Sequence, residues 1–80
     1  MSDVETRLRG CFEVVFPGAP PDVLGTASAE TLDGWDSIAT VTLIGVIEDE
    51  FGMDFSDEGI ERAVSFRSIL AYVRESVEQG

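Results

Sequence analysis

The residues Gly34-Trp35-Asp36-Ser37-Ile38 hold the clearest chemical potential of the chain. A loop-like stretch precedes them and a run of helix formers follows, so Ser37 falls where a loop becomes a helix. At such a junction the first backbone N–H groups have no intrahelical partner, and the positive end of the helix dipole faces outward. A phosphate ester on Ser37 would find a favourable field there, as anions do at helix N-termini. Asp36 adds a carboxylate suited to accept a hydrogen bond or to share a divalent ion with an incoming enzyme. Both residues also have a structural reading, because aspartate and serine are leading N-cap formers and either could simply close the helix start. Ser37 has no support as a catalytic nucleophile, since nothing in the chain supplies the base that would activate it.

A second group is the acidic set Glu48, Asp49, Glu50, Asp54, Asp57, Glu58 and Glu61. Such a run can be a solvated face that maintains solubility. It can equally be a docking surface, where charge raises encounter rates and sets orientation towards a basic partner. Asp54, Ser56, Glu58 and Gly59 imitate the first half of a calcium loop, but the twelfth position is Ser65 instead of a bidentate glutamate, so no dedicated metal site is expected. Cys11 falls on an apolar stripe and reads as a small buried hydrophobe rather than a reactive thiol.

Composition narrows the chemistry further. Sixteen acidic residues against Arg7, Arg9, Arg62, Arg67 and Arg74 give a net charge of −11, and the 80-residue chain has neither histidine nor lysine. A Schiff base, a serine–histidine relay, an imidazole metal ligand and the lysine of a nucleotide-binding loop are all excluded. Phosphate backbones repel a surface this negative, so nucleic acid is not an expected partner. Hydrophobic residues at 44% argue for a folded domain rather than an acidic tail. One cysteine cannot form an internal disulfide. The start of the chain lacks the character of a secretory signal, and no apolar run approaches the roughly 20 residues of a membrane helix. The expectation is a single domain over residues 1–80, cytoplasmic, and monomeric because no heptad seam is spare.

The elements that must position Ser37 read as helices throughout. Ser2 and Glu5 have the spacing of a capping box, and Val4, Leu8, Cys11, Phe12 and Val15 then form one stripe that Phe16-Pro17-Gly18 ends. From Pro17 to Trp35 the chain reads as a long ordered loop, with Val23, Leu24, Leu32 and Trp35 laid against the core. A helix over Ser37 to Phe51 buries Leu43, Ile44, Ile47 and Phe51 and stops at Gly52. Ile38, Thr42, Gly45 and Asp49 share its opposite face, so Ile38 with Val46 and Ala39 nearby makes an apolar contact patch rimmed by charge. Ser56 caps a short helix with Asp57 and Glu58 in its first turn. Ser65 caps the last helix, whose stripe is Phe66, Ile69, Leu70, Val73 and Val77. No segment reads as a strand. The expected fold is all-α: a small four-helix bundle of three main helices and one short one, with a long loop between helices one and two.

Asp36-Ser37-Ile38, followed by the helix ending Ile47-Glu48-Asp49-Glu50-Phe51-Gly52, resembles the acyl carrier protein family. The likeness extends through Asp54-Phe55-Ser56-Asp57-Glu58 and the short acidic helix to Ala71-Tyr72-Val73, at matching spacings. It covers most of the chain from about Asp33 to Val73. The resemblance implies that Ser37 receives 4′-phosphopantetheine from coenzyme A through a phosphopantetheinyl transferase, with Asp36 assisting recognition. It further implies that the arm's thiol carries cargo as a thioester between a loading enzyme, acyl or aminoacyl, and a downstream synthase or transferase. Ile38, Val46, Glu48, Asp49, Asp57 and Glu58 would then meet partners. Trp35 would either shield the arm or anchor the long loop.

Two departures colour the resemblance. Ile38 stands where leucine is usual, and Ala39 and Thr42 stand where carriers of housekeeping fatty acid synthesis place acids. Gly34-Trp35-Asp36-Ser37 is more similar to free-standing carriers of specialised pathways, including those that load amino acids or polyketide units. A carrier needs no catalytic apparatus, which suits a chain without lysine or histidine, and no enzymatic activity is expected. The rival from another class is an acidic helical adaptor, free of any prosthetic group, that binds a basic partner through the same face.

Overall fold

A computed structural model describes residues 4–19, 21–32 and 34–79, with residues 21, 22, 78 and 79 by backbone alone. The chain is all-helical: α1 (Val4–Val15), α2 (Pro21–Leu24), α3 (Ser37–Phe51), α4 (Asp57–Glu61) and α5 (Phe66–Gln79). Three long helices and the short α4 match the expected elements, and no strand forms among the described residues. The expected capping box involves Ser2, which lies outside the described residues. Within the same limit, no helix is long and apolar enough to cross a membrane.

The apolar stripes become one core. Leu8, Cys11 and Phe12 from α1, Leu43, Ile44 and Ile47 from α3, and Phe66, Ile69 and Val73 from α5 are all buried together. Phe12 is the hub, with the rings of Phe66 at 5.0 Å, Trp35 at 5.5 Å and Phe16 at 6.1 Å. Two stripe members differ from expectation. Val77 is exposed, one turn beyond the buried Val73. Phe51 is half-buried at the end of α3, where the Arg7 guanidinium covers its ring at 4.5 Å.

The connection between α1 and α3 differs most from the single long loop expected. The one-turn α2 breaks it, and the residues that follow α2 are tied by their backbone to the start of α5. Ala29 N–H donates to the Val64 carbonyl, Phe66 N–H donates to the Ala27 carbonyl, and Ser28 forms an isolated antiparallel bridge with Ser65. Leu24 and Ala27 are buried beneath this crossing, whereas Val23, expected inside, is exposed on the same turn. The crossing therefore delivers Trp35 to the core from a fixed direction.

Local chemistry ends the helices as the sequence implies. Gly52 takes φ +63° and its N–H donates to the Glu48 carbonyl, a left-handed closure that glycine adopts without strain. Ser56 Oγ accepts from Gly59 N–H at the start of α4, and Ser65 Oγ accepts from Ser68 N–H at the start of α5. Tyr72 then fastens α4 to α5. Its hydroxyl accepts from Ser56 N–H at 3.1 Å and lies 3.0 Å from Ser56 Oγ, while its ring packs on Phe55. Gly59 is buried under that ring, and a Cβ there would sit 2.5 Å from it.

Removal of the hub should test this packing. Phe12→Ala should lose about 3–5 kcal/mol of stability, whereas Val14→Ala on the exposed side of α1 should stay within about 0.5 kcal/mol of the wild type. Urea midpoints read both; equal losses would contradict a core centred on Phe12.

Candidate functional site

The start of α3 divides its work between two residues. Asp36 is the N-cap, with φ −107° and ψ −172°, and its carboxylate accepts from Ala39 N–H at 2.8 Å. The preceding Gly34 has φ +89°, which bends the chain into this geometry without a Cβ penalty. Ser37 is the first residue of α3 and is exposed. Because Asp36 already closes the helix end, the Ser37 hydroxyl makes no hydrogen bond among the described residues. The two structural readings open in the sequence thus resolve onto Asp36 alone.

Trp35 is 5% exposed and packs its ring against Phe12 and Phe16, so it anchors the crossing to the core. Its Nε1–H donates to Thr40 Oγ1 at 2.9 Å. That hydroxyl donates in turn to the Asp36 carbonyl at 3.0 Å, an oxygen that also accepts Thr40 N–H. A bare buried indole N–H would be costly, so the partner matters.

Around Ser37 the outer face of α3 is apolar. Ile38 is 78% exposed and Val41 70%. The sequence reading named Ile38 and missed Val41, although the three-residue spacing from Ile38 puts the two side by side on a helix surface. Val46, expected in the same patch, is half-buried and packs against the core instead. Thr42 Oγ1 donates to the Ile38 carbonyl at 3.0 Å, which leaves its methyl on the exposed face. An open cleft of about 500 Å³ lies on the crossing side, lined by Val15, Phe16, Ala19, Leu32 and Gly34 among others.

The acidic set separates into engaged and unengaged members. Glu48, expected at a partner surface, is half-buried, and its carboxylate accepts from Phe55 N–H at 2.8 Å, so it pins the turn after α3. Glu50 pairs with Arg7 at 2.9 Å. Glu58 is 4.0 Å from Arg62, which pairs more closely with Glu75 at 3.0 Å. Asp49, Asp54, Asp57 and Glu61 are exposed and have no ion pair among the described residues. No group of three or more potential ligands could hold a metal ion within that limit. Ser56 and Ser65, the hydroxyls of the imitation calcium loop, serve as caps.

Cys11 is buried, and its thiol is pushed up from the ordinary 9.0 to about 11, chiefly by burial and then by the Glu50 carboxylate, with Arg7 opposing. It packs as a hydrophobe and is far from thiolate chemistry at neutral pH. No protein-family model matches the chain.

Two outcomes follow from this geometry. Asp36→Ala should cost about 1 kcal/mol of stability while Asp36→Asn stays near the wild type, because asparagine caps as well as aspartate; thermal or urea unfolding measures both, and equal losses would contradict the capping role. The folded state raises the Cys11 pKa, so the stability it confers is complete below about pH 9 and is lost as pH rises towards 11. The wild-type advantage over Cys11→Ala in urea midpoint should therefore shrink across that window and stay constant from pH 6 to pH 8.

Proposed function

We propose that this chain is a carrier protein of the acyl carrier type, with Ser37 as the attachment point of a 4′-phosphopantetheine arm. The observation that carries the reading is the exposed Ser37 hydroxyl, without a hydrogen bond among the described residues, at the head of a 15-residue helix whose cap is supplied by its neighbour. A serine needed for capping would have its oxygen turned onto backbone N–H groups. This one is left available to an incoming enzyme.

The residues fit such a group. A phosphodiester on Ser37 would lie at the positive end of α3, where an anion gains about 0.3–1 kcal/mol. The first turn of α3 holds no acidic side chain to oppose it, and the Asp36 carboxylate is already engaged with Ala39 N–H. When bound, the arm supplies a thiol that carries cargo as a thioester. The chain's own residues present and orient. Asp36 fixes the helix start, Ile38 and Val41 offer apolar contact beside the serine, and the exposed Asp49, Asp54, Asp57 and Glu61 steer basic surfaces towards it. Tethering raises the effective concentration of the cargo at each partner active site. The partners are a phosphopantetheinyl transferase, a loading enzyme and a downstream synthase or transferase, and the chain itself catalyses nothing, consistent with its lack of histidine and lysine.

Incubation with coenzyme A and a broad-specificity phosphopantetheinyl transferase should add one phosphopantetheine to the intact mass of the wild type and none to Ser37→Ala. Asp36→Ala should be modified at least about tenfold more slowly, a loss of about 1.4 kcal/mol of transition-state stabilisation. An unmodified wild type that binds a basic partner tightly would instead support an adaptor without a prosthetic group.

A further inference from the structure

Asp36 and Ser37 are joined by one peptide group, and its carbonyl is held from two sides. Thr40 N–H donates to it at 2.9 Å, as helix geometry requires, and Thr40 Oγ1 donates to it at 3.0 Å. The orientation of that hydroxyl is not free. It must accept from Trp35 Nε1 at 2.9 Å, and the buried Trp35 packs against both the Phe12 and Phe16 rings at 5.5 and 5.6 Å. With its acceptor side turned to the indole, the hydroxyl hydrogen is directed onto the Asp36 carbonyl. A rigid group in the core is thereby connected, through one hydroxyl, to the peptide that sets the backbone of Ser37.

We propose that Trp35 and Thr40 act as positioning residues for Ser37, a lock separate from the Asp36 cap that holds the serine in the conformation a modifying enzyme accepts. The geometry stands by itself; its consequence for modification rests on the carrier reading. The cap fixes the N–H groups of the first turn, whereas the Trp35–Thr40 pair fixes the chain entering it. Without the pair, the segment from Gly34 to Ser37 keeps its cap but samples more than one approach to the helix. Only a fraction of molecules would then present Ser37 correctly, and apparent affinity for the enzyme falls by that fraction.

The test is the steady-state kinetics of modification by coenzyme A and a broad-specificity phosphopantetheinyl transferase, with the carrier as the varied substrate. Thr40→Val keeps the shape and removes the hydroxyl; Trp35→Phe keeps a ring and removes the donor. Each should raise KM about three- to tenfold, the equivalent of one hydrogen bond, with kcat unchanged. The double variant should be no worse than Thr40→Val alone, because both changes break one connection. Thr40→Ser, which restores the hydroxyl, should return to near wild-type KM. Wild-type KM in Thr40→Val, strictly additive losses, or a fall in kcat at unchanged KM would each overturn the proposal. Amide hydrogen exchange at Thr40, whose N–H donates to the Asp36 carbonyl, supplies an independent readout, expected to quicken in Trp35→Phe and Thr40→Val and not in Thr40→Ser, while Ala39 N–H, held by the cap, stays protected in all of them. Unchanged exchange overturns the lock even if modification is slowed. A wild-type protein that takes no arm sinks the carrier reading, while the exchange result still decides the lock.

Discussion

The Phe12 ring of α1 occupies the place where the helices converge, and Phe16 just after α1, Trp35 of the crossing segment and Phe66 of α5 each turn an aromatic ring towards it. In a chain of 80 residues the core is thin, with only about 60–65% of the unfolded surface removed from water. A single aromatic hub therefore settles more than packing density. It draws Trp35 inward, water is excluded from the indole, and the indole N–H must find an acceptor inside the protein. Thr40 supplies it and passes the constraint to the Asp36 carbonyl. The surface position of Ser37 is thus a consequence of burial a few residues upstream, carried by two hydrogen bonds.

Charge works against this core rather than for it. A net charge of −11 on so small a body repels itself, and the arginines are too few to offset it. Arg7 bridges to Glu50, Arg9 and Arg74 to Glu5, and Arg62 to Glu58 and Glu75, all on or near the surface where such pairs contribute little. Arg9, Arg67 and Arg74 meet at one open cleft beside Phe66 and Leu70. Of the acids without an ion pair among the described residues, Asp49 lies in the last turn of α3, Asp54 in the turn after it, and Asp57 and Glu61 on α4, while Glu13 and Glu30 lie elsewhere. On the carrier reading proposed above, the acids of α3 and α4 serve association, with Ile38 and Val41 giving the apolar contact that charge alone does not.

Much of the fold was legible because its signals are local. The bounds of α3, the left-handed Gly52 and the serine caps of α4 and α5 each depend on a few adjacent residues. The crossing segment was not legible in the same way. A helix of one turn is too short for periodicity to register, although Pro21 at its first position is a preferred start. The pairing of Ser28 with Ser65 and the hold of Tyr72 on Ser56 join residues distant in sequence, where no spacing rule reaches. At the site, sequence placed Ser37 and Asp36 at the helix head but left the cap open between two good cap formers. Only the backbone geometry of Asp36 and its bond to Ala39 N–H divide the roles. Glu48 looked like one more surface acid because its target, the Phe55 amide, is visible only once the turn is folded.

Fragmentation mass spectrometry of the protein purified from its native source examines the central claim most directly, since it reports what the hydroxyl at the head of α3 carries in the cell. The account predicts a population bearing a single 4′-phosphopantetheine, with fragment ions that confine the added mass to Ser37. A protein that is uniformly bare at that residue, or that carries the group on another side chain, would contradict it.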